Sequence, residues 1–375
     1  MFSILDFLII YSIFINSVIA SHEHQKPPLP VIIDTDGYID DFLAILYALK
    51  SRELDVRGVT YLGDGWSHAA SAQNIVDIID DIYPGKNLPV ILGANYDLFE
   101  SDRNPKTLGS PGCFYQKSVS EIARNDADLL YGLNRQLRLS KRIWYDALTG
   151  FNITQNFADL IDSTIKQTGK KPTIIATGPA TNIVTFLRAF PTYTKRIEKI
   201  VWMGGSLNVY RDLFTVPSNT LAEYNLYLDC VAAQELLAYD LNILLVPIDF
   251  TNETPLNPGF FDKLSKLTSF YGKFTYRLLS TTRAVSFAND SAFYNNYFLW
   301  DPKAVAVVKN IGISKIVSNR KLAVTCEGKE SIDGQFMKSQ ILTKANFKIA
   351  IDAIVSDPVD DSPFFNDFLD AINKD

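Results

Sequence analysis

From Leu29 onward, short β-branched runs alternate with segments of helical period. This alternation restricts the chain to an α/β fold with a mostly parallel open sheet and helices on both faces. Strand candidates are LPVIID (29–34), DVRGVTYLG (55–63), LPVILG (88–93), PTIIATG (172–178), KIVWMGG (199–205) and LNILLVPID (241–249). Between them, Phe42, Ile45, Leu46 and Leu49 keep i, i+3, i+4, i+7 spacing, as do Ile75, Ile78, Ile79 and Ile82. Each set gives a helix one apolar stripe to press on the sheet. In open sheets of this kind ligands collect outside the carboxyl ends of the strands, so the polar residues that follow each strand are the ones to inspect.

The rhythm breaks twice. Residues 95–149 carry Pro105, Gly109, Pro111 and Gly112 and are expected to form a lid or insertion. After Asn252 helical stretches run to about Lys309, and a strand pair including KLAVTCE (321–327) follows. No repeat or linker divides the chain, which predicts a single domain over 26–375. Residues 1–20 are almost wholly apolar and end in Val18-Ile19-Ala20, as a cleaved signal peptide would, so the mature protein is expected to be secreted with no membrane association. Three sequons, at Asn152, Asn252 and Asn289, accord with that compartment, while three scattered cysteines allow at most one disulfide and leave one thiol over, so the fold is not framed by disulfides. With 47% hydrophobic residues a large core can form, and a net charge of −6 without clustered Lys or Arg argues against nucleic acid as partner. A small neutral ligand suits the composition better; a homo-oligomer is left open.

The strongest local signal is IIDTDGYIDD (32–41), with Asp34, Asp36, Asp40 and Asp41 at a strand-to-helix junction. Two of them could serve only to favour a helix N-terminus. Four cannot all ionise side by side unless a cation compensates them or some stay protonated. Carboxylate and backbone oxygens suit hard ions, and Ca²⁺ takes about six to eight of them in loose geometry. Asp34-Thr35-Asp36-Gly37 also resembles the opening of haloacid-dehalogenase-type phosphatases. Tyr38 and the immediate Asp40-Asp41 pair depart from that pattern.

The Asp-x-Asp-x-x-x-Asp-Asp arrangement of Asp34, Asp36, Asp40 and Asp41 resembles the inosine–uridine-preferring nucleoside hydrolase family, with Gly37-Tyr38 in place of the commoner Pro-Gly. Four later motifs fall in the family's order: Ala176-Thr177-Gly178-Pro179-Ala180-Thr181-Asn182, Trp202-Met203-Gly204-Gly205, Ala222-Glu223-Tyr224-Asn225 and Trp300-Asp301-Pro302. The resemblance implies a Rossmann-like nucleoside hydrolase fold and calcium-dependent cleavage of the bond between ribose and base. It implies Asp36, Asp41, Asp301 and the Thr177 carbonyl as calcium ligands, with Asp36 also the base toward water. Asp40, Asp64, Met203, Glu223, Asn225 and either Asp212 or Asn219 would hold the ribose. Glu223 and Asn225, two apart, would both face the sugar from an extended segment.

Many members of that family place a His before the late Asp, where this chain has Trp300; its histidines are His22, His24 and His68. An aromatic there resembles the purine-specific branch, in which stacking on the base helps it leave, and a large flat ring favours purines. Trp300 read as a core aromatic is the plainer alternative. A second stacking wall is sought among Trp66, Tyr96, Phe99 and Tyr224. Cleavage builds positive charge on the sugar, which carboxylates stabilise. A nucleoside-binding protein without turnover is the competing reading.

Overall fold

The computed structural model describes residues 27–62, 72–94, 98, 153–207, 223–253, 255–311, 316–320, 322–326, 337–341, 351–354 and 362–374. The strands are β1 (Leu29–Thr35), β2 (Leu54–Tyr61), β3 (Val90–Leu92), β4 (Thr173–Ala176), β5 (Lys199–Met203), β6 (Ile243–Val246), β7 (Ile316–Arg320), β8 (Leu322–Cys326), β9 (Met337–Ile341) and β10 (Ile351–Ile354). Helices α1 to α6 span Ile39–Lys50, Ala72–Ile82, Ile153–Thr168, Thr181–Ala189, Tyr224–Leu228 and Cys230–Leu236. Helices α7 to α12 span Ile248–Thr251, Pro258–Ser265, Phe270–Ser286, Asp290–Asn296, Trp300–Lys309 and Ser362–Ile372.

The main sheet runs in the order β3-β2-β1-β4-β5-β6-β10-β7, parallel throughout except that β7 lies antiparallel to β10. The first six strands in order are those read from the β-branched runs. Chain order reverses between β1 and β4, so a crevice opens at their carboxyl ends, where such sheets hold ligands. β1 shows why the sheet is covered on both sides. Val31 and Ile33 enter one apolar core and Ile32 the other, following the two-residue alternation of a strand.

Helix α1 is buried from Ile39 to Leu49, so it sits inside the first core with no water-facing side. Truncating Leu46, fully buried there, to Ala would cost about 2–5 kcal/mol. Helix α2 keeps the amphipathic form its spacing predicts: Ile75, Ile78 and Ile79 are buried, and Ile82 packs on the core's edge. β8 does pair, antiparallel with β9, as a separate two-stranded sheet. The main sheet also recruits β10, a four-residue run too short for periodicity to reveal. The segments expected to be a signal peptide (1–20) and a lid (95–149) lie outside the described residues, Leu98 excepted.

Candidate active site

The site begins where β1 ends. Asp34, Asp36, Asp40 and Asp41 are all buried, yet they divide between two environments. Asp34 faces the sheet: its Oδ1 accepts from Thr60 Oγ1 at 2.6 Å and from Asn182 Nδ2 at 2.9 Å. Its backbone carbonyl accepts the Thr177 N–H at 2.8 Å, which ties the ends of β1 and β4 together. Asp36 turns the other way, into the crevice. Two glycines make that turn feasible. Gly37 has φ +81°, and a Cβ on it would lie 2.2 Å from the Tyr61 hydroxyl, so both conformation and space require glycine. A Cβ on Gly178 would come within 3.0 Å of the Asp36 Cβ, so the loop after β4 can pass this close only without a side chain.

Asp41, in the first turn of α1, is held by its surroundings. The Tyr38 N–H donates to its Oδ2 at 3.0 Å, and Thr177 Oγ1 donates to its Oδ1 at 2.6 Å. Thr35 Oγ1 also donates to Oδ1. Further lining comes from β5, α5 and α11. Glu223 caps α5, its carboxylate accepting from the N–H groups of Asn225 (2.9 Å), Leu226 (3.1 Å) and Gly205 (2.7 Å). Asn225 therefore stands on a helix, which corrects the expectation of an extended Glu223–Asn225 segment: the capping carboxylate satisfies the first backbone donors and starts a helical turn. Asn225 Nδ2 donates to the carbonyls of Thr177 (3.1 Å) and Met203 (3.0 Å), bridging the ends of β4 and β5.

Helix α11 packs along α1 and starts at the same place, so Trp300 and Asp301 arrive beside Asp40 and Asp41. One oxygen each of Asp40, Asp41 and Asp301 lies within 4.8 Å of the others, all three residues buried. The resulting cleft is lined by Asp36, Asp40, Asp41, Glu223 and Asp301 together with Tyr38, Thr177, Met203, Tyr224, Asn225 and Trp300.

The electrostatics follow from five carboxylates and no basic side chain in this lining. Burial, then the charge of Asp41, drives Asp36 well above the usual carboxylate range. Burial and the charges of Asp40, Asp41 and Asp36 do the same to Asp301. Asp40 is pushed up to about 8 by burial and by Asp41, against the pull of hydrogen bonds from Asp301. Asp34 rises to about 7 through burial, moderated by Thr60 and Asn182. The N-termini of α1 and α11 offset part of this repulsion, but a helix end carries only about half a unit of positive charge. A hard divalent cation would relieve the rest, and carboxylate, hydroxyl and carbonyl oxygens are the donors such an ion prefers.

Comparison with known proteins gives the family of the chain. The family model for inosine-uridine preferring nucleoside hydrolases matches residues 31–359. The chain belongs to that family. Nucleoside hydrolase 4 of Arabidopsis thaliana is 25% identical over 342 residues, covering 84% of this chain and 60% of the relative. The pyrimidine-specific ribonucleoside hydrolase RihA of Klebsiella pneumoniae is 24% identical over 243 residues, covering 64% of this chain and 66% of the relative. The chain thus spans less than two thirds of either relative's length. Among solved structures, a purine-preferring ribonucleoside hydrolase from Gardnerella vaginalis superposes with a TM-score of 0.68 at 25% identity, covering 92% of this chain and 98% of that one.

In this member of the family, the cleft gathers Asp36, Asp40, Asp41, Thr177, Met203, Glu223, Tyr224, Asn225, Trp300 and Asp301. Asp40, read from the sequence as a ribose contact, stands in a buried carboxylate trio with Asp41 and Asp301. Trp300 is 7% exposed, so it belongs to the core and to the cleft wall at once. Asp64, Asp212, Asn219, Trp66, Tyr96, Phe99 and the three histidines lie outside the described residues. Tyr38 was not foreseen as a wall of the cleft. Its signal was present as an aromatic in place of the usual glycine beside the acidic cluster. Asn182 as the support of Asp34 carried none, because the contact joins residues 148 apart.

Proposed function

We propose that this protein is a secreted, calcium-dependent ribonucleoside hydrolase that prefers purine nucleosides and releases ribose and free base. The convergence of Asp36, Asp40, Asp41, Glu223 and Asp301 in one buried cleft at the β1/β4 reversal carries this reading. Asp36, Asp41, Asp301 and the Thr177 carbonyl would hold the cation, and the trio geometry adds Asp40 to the candidates. Bound there, Ca²⁺ would orient the sugar hydroxyls and the attacking water and favour loss of the water's proton.

Asp36 accepts that proton at a carboxylate oxygen. The other carboxylates stabilise the positive charge that grows on the ribose ring as the bond to the base breaks. Met203 and Asn225 line the sugar end. Asn225 Nδ2 is engaged by two carbonyls, so the residue contributes by rigid placement as well as by contact. Backbone donors from Gly205, Asn225 and Leu226 hold the Glu223 carboxylate rigidly at the cleft wall. Trp300 offers an indole face to the departing base, and the water-derived proton or solvent completes the neutral base. The relatives' names point to both purines and pyrimidines, so the preference rests on Trp300 itself.

Three observations support secretion: the apolar residues 1–20, the disulfide bond of Cys230 and an exposed sequon at Asn289. Protein sequencing of the secreted form should find Ser21 at the N-terminus. Activity is tested by incubating purified protein with inosine and with uridine, before and after EDTA and after Ca²⁺ is restored. Release of hypoxanthine that EDTA abolishes and Ca²⁺ recovers is the expected result. Binding of inosine without release of base would replace the hydrolase by a nucleoside-binding protein.

A further inference from the structure

The indole of Trp300 does not choose its own orientation. Its Nε1 donates to Asn252 Oδ1 at 2.6 Å. Tyr297 meets the ring edge-on at 5.4 Å and Phe298 is tilted against it at 5.5 Å. The two aromatics restrict where the ring sits, while the hydrogen bond at its edge sets the plane, and hence which face borders the cleft.

Asn252 is itself anchored. It is the C-cap of α7, the turn that follows β6, and its backbone N–H donates to the Ile248 carbonyl at 2.9 Å. Two more contacts pin the turn: the Leu207 N–H donates to Asp249 Oδ2 at 2.7 Å, and Lys303 Nζ donates to the Phe250 carbonyl at 3.2 Å. Lys303 is buried two residues beyond Asp301, so the same helix that carries the cleft residues clamps the turn that carries Asn252. The side-chain amide thus reaches Trp300 from a rigid base.

We infer that Asn252 is a positioning residue for substrate recognition: its side-chain carbonyl holds the Trp300 indole in the plane that stacks on a purine base. The inference deepens the proposed hydrolysis and rests on it for its kinetic consequence. It also separates the sequons. Asn289 is exposed and uses its Oδ1 to cap α10, which leaves the amide nitrogen that a glycan would modify facing outward. Asn252 is half-buried, with its side-chain oxygen engaged by the Trp300 N–H.

The test compares the full chain, made in a non-glycosylating host, with Asn252→Leu, which keeps the shape but removes the acceptor, and Asn252→Asp, which keeps an acceptor. Asn252→Ala serves if the leucine variant does not fold, and Trp300→Phe assigns the indole N–H resonance. Loss of the acceptor should speed hydrogen exchange of that N–H about tenfold or more and lower kcat/KM for inosine about tenfold. Asn252→Asp should hold both within about threefold of wild type. Unchanged exchange and unchanged kinetics in Asn252→Leu would overturn the assignment. If wild type releases no base at all, the hydrolase reading fails on its own, and the exchange of the Trp300 N–H still decides the role of Asn252.

Discussion

Helices α1 and α11 lie side by side, and their two ends are built on opposite principles. At the C-terminal end Lys309, nearly buried, meets Asp367 and Tyr47 and lies 3.6 Å from Glu53, so every charge there has a partner. Cations also favour that end of a helix dipole. At the N-terminal end Asp40, Asp41 and Asp301 crowd together with Asp36 and Glu223 nearby and no basic side chain in the lining. The first end is closed and contributes to holding the helices together. Among the described residues the second is left electrostatically incomplete, as a site that takes a cation would be. Stability and function are thus divided between the two ends of one helix pair.

Four changes would break or sharpen this contrast. Asp36→Asn removes the proposed base and should lower inosine turnover about 10²–10⁴-fold with little change in melting temperature, measured by hypoxanthine release. A variant of near-normal activity would move the base elsewhere.

Chelation of the cation comes next. It should abolish turnover and expose a pH effect on the metal-free protein. The folded form holds protons that the unfolded chain loses near pH 3.8, and Asp40 keeps its own to about 8. Stability of the apoprotein is therefore fully present at low pH and declines as pH rises through that window. Thermal melts from pH 4 to 8 should show the decline in EDTA and a flatter curve in Ca²⁺. A flat curve in EDTA would mean the carboxylates are compensated within the chain.

Trp300→Ala should cut kcat/KM for inosine roughly 10- to 100-fold, the effect of removing about 1–3 kcal/mol of stacking. Uridine cleavage should change less, and equal losses for both would remove the basis of the purine preference. Smallest in effect on function is Lys309→Met at the closed end. It should lower stability by about 1–3 kcal/mol in urea melts and leave kcat for inosine unaltered. Loss of activity there would show that the two ends are coupled along the helices.

The acidic junction shows how far one dimension reaches. Asp34, Asp36, Asp40 and Asp41 are neighbours in sequence, and a strand-to-helix junction at a carboxyl end must bring them together, so a cation-binding role was legible from spacing and charge alone. The six strands from β1 to β6 were legible for a similar reason, because β-branched runs between helical stripes have few other ways to bury themselves. The division of labour within the junction was not. That Asp34 serves the sheet through Thr60 and Asn182 while Asp36 serves the cleft depends on partners 26 and 148 residues away.

The chain by itself determined its local grammar: which segments are strand or helix, where the carboxylates cluster, and that an indole stands where many relatives have a histidine. Tertiary structure decided the rest. It placed Asp301 against Asp40 and Asp41, gave Glu223 a capping duty that turned its neighbour onto a helix, set Asn252 at the edge of Trp300, and threaded β10 between β6 and β7. The reason is physical. Periodicity and capping act over a few residues and leave their mark in the sequence, whereas contacts between distant segments arise only when competing burial and hydrogen-bonding demands are satisfied together.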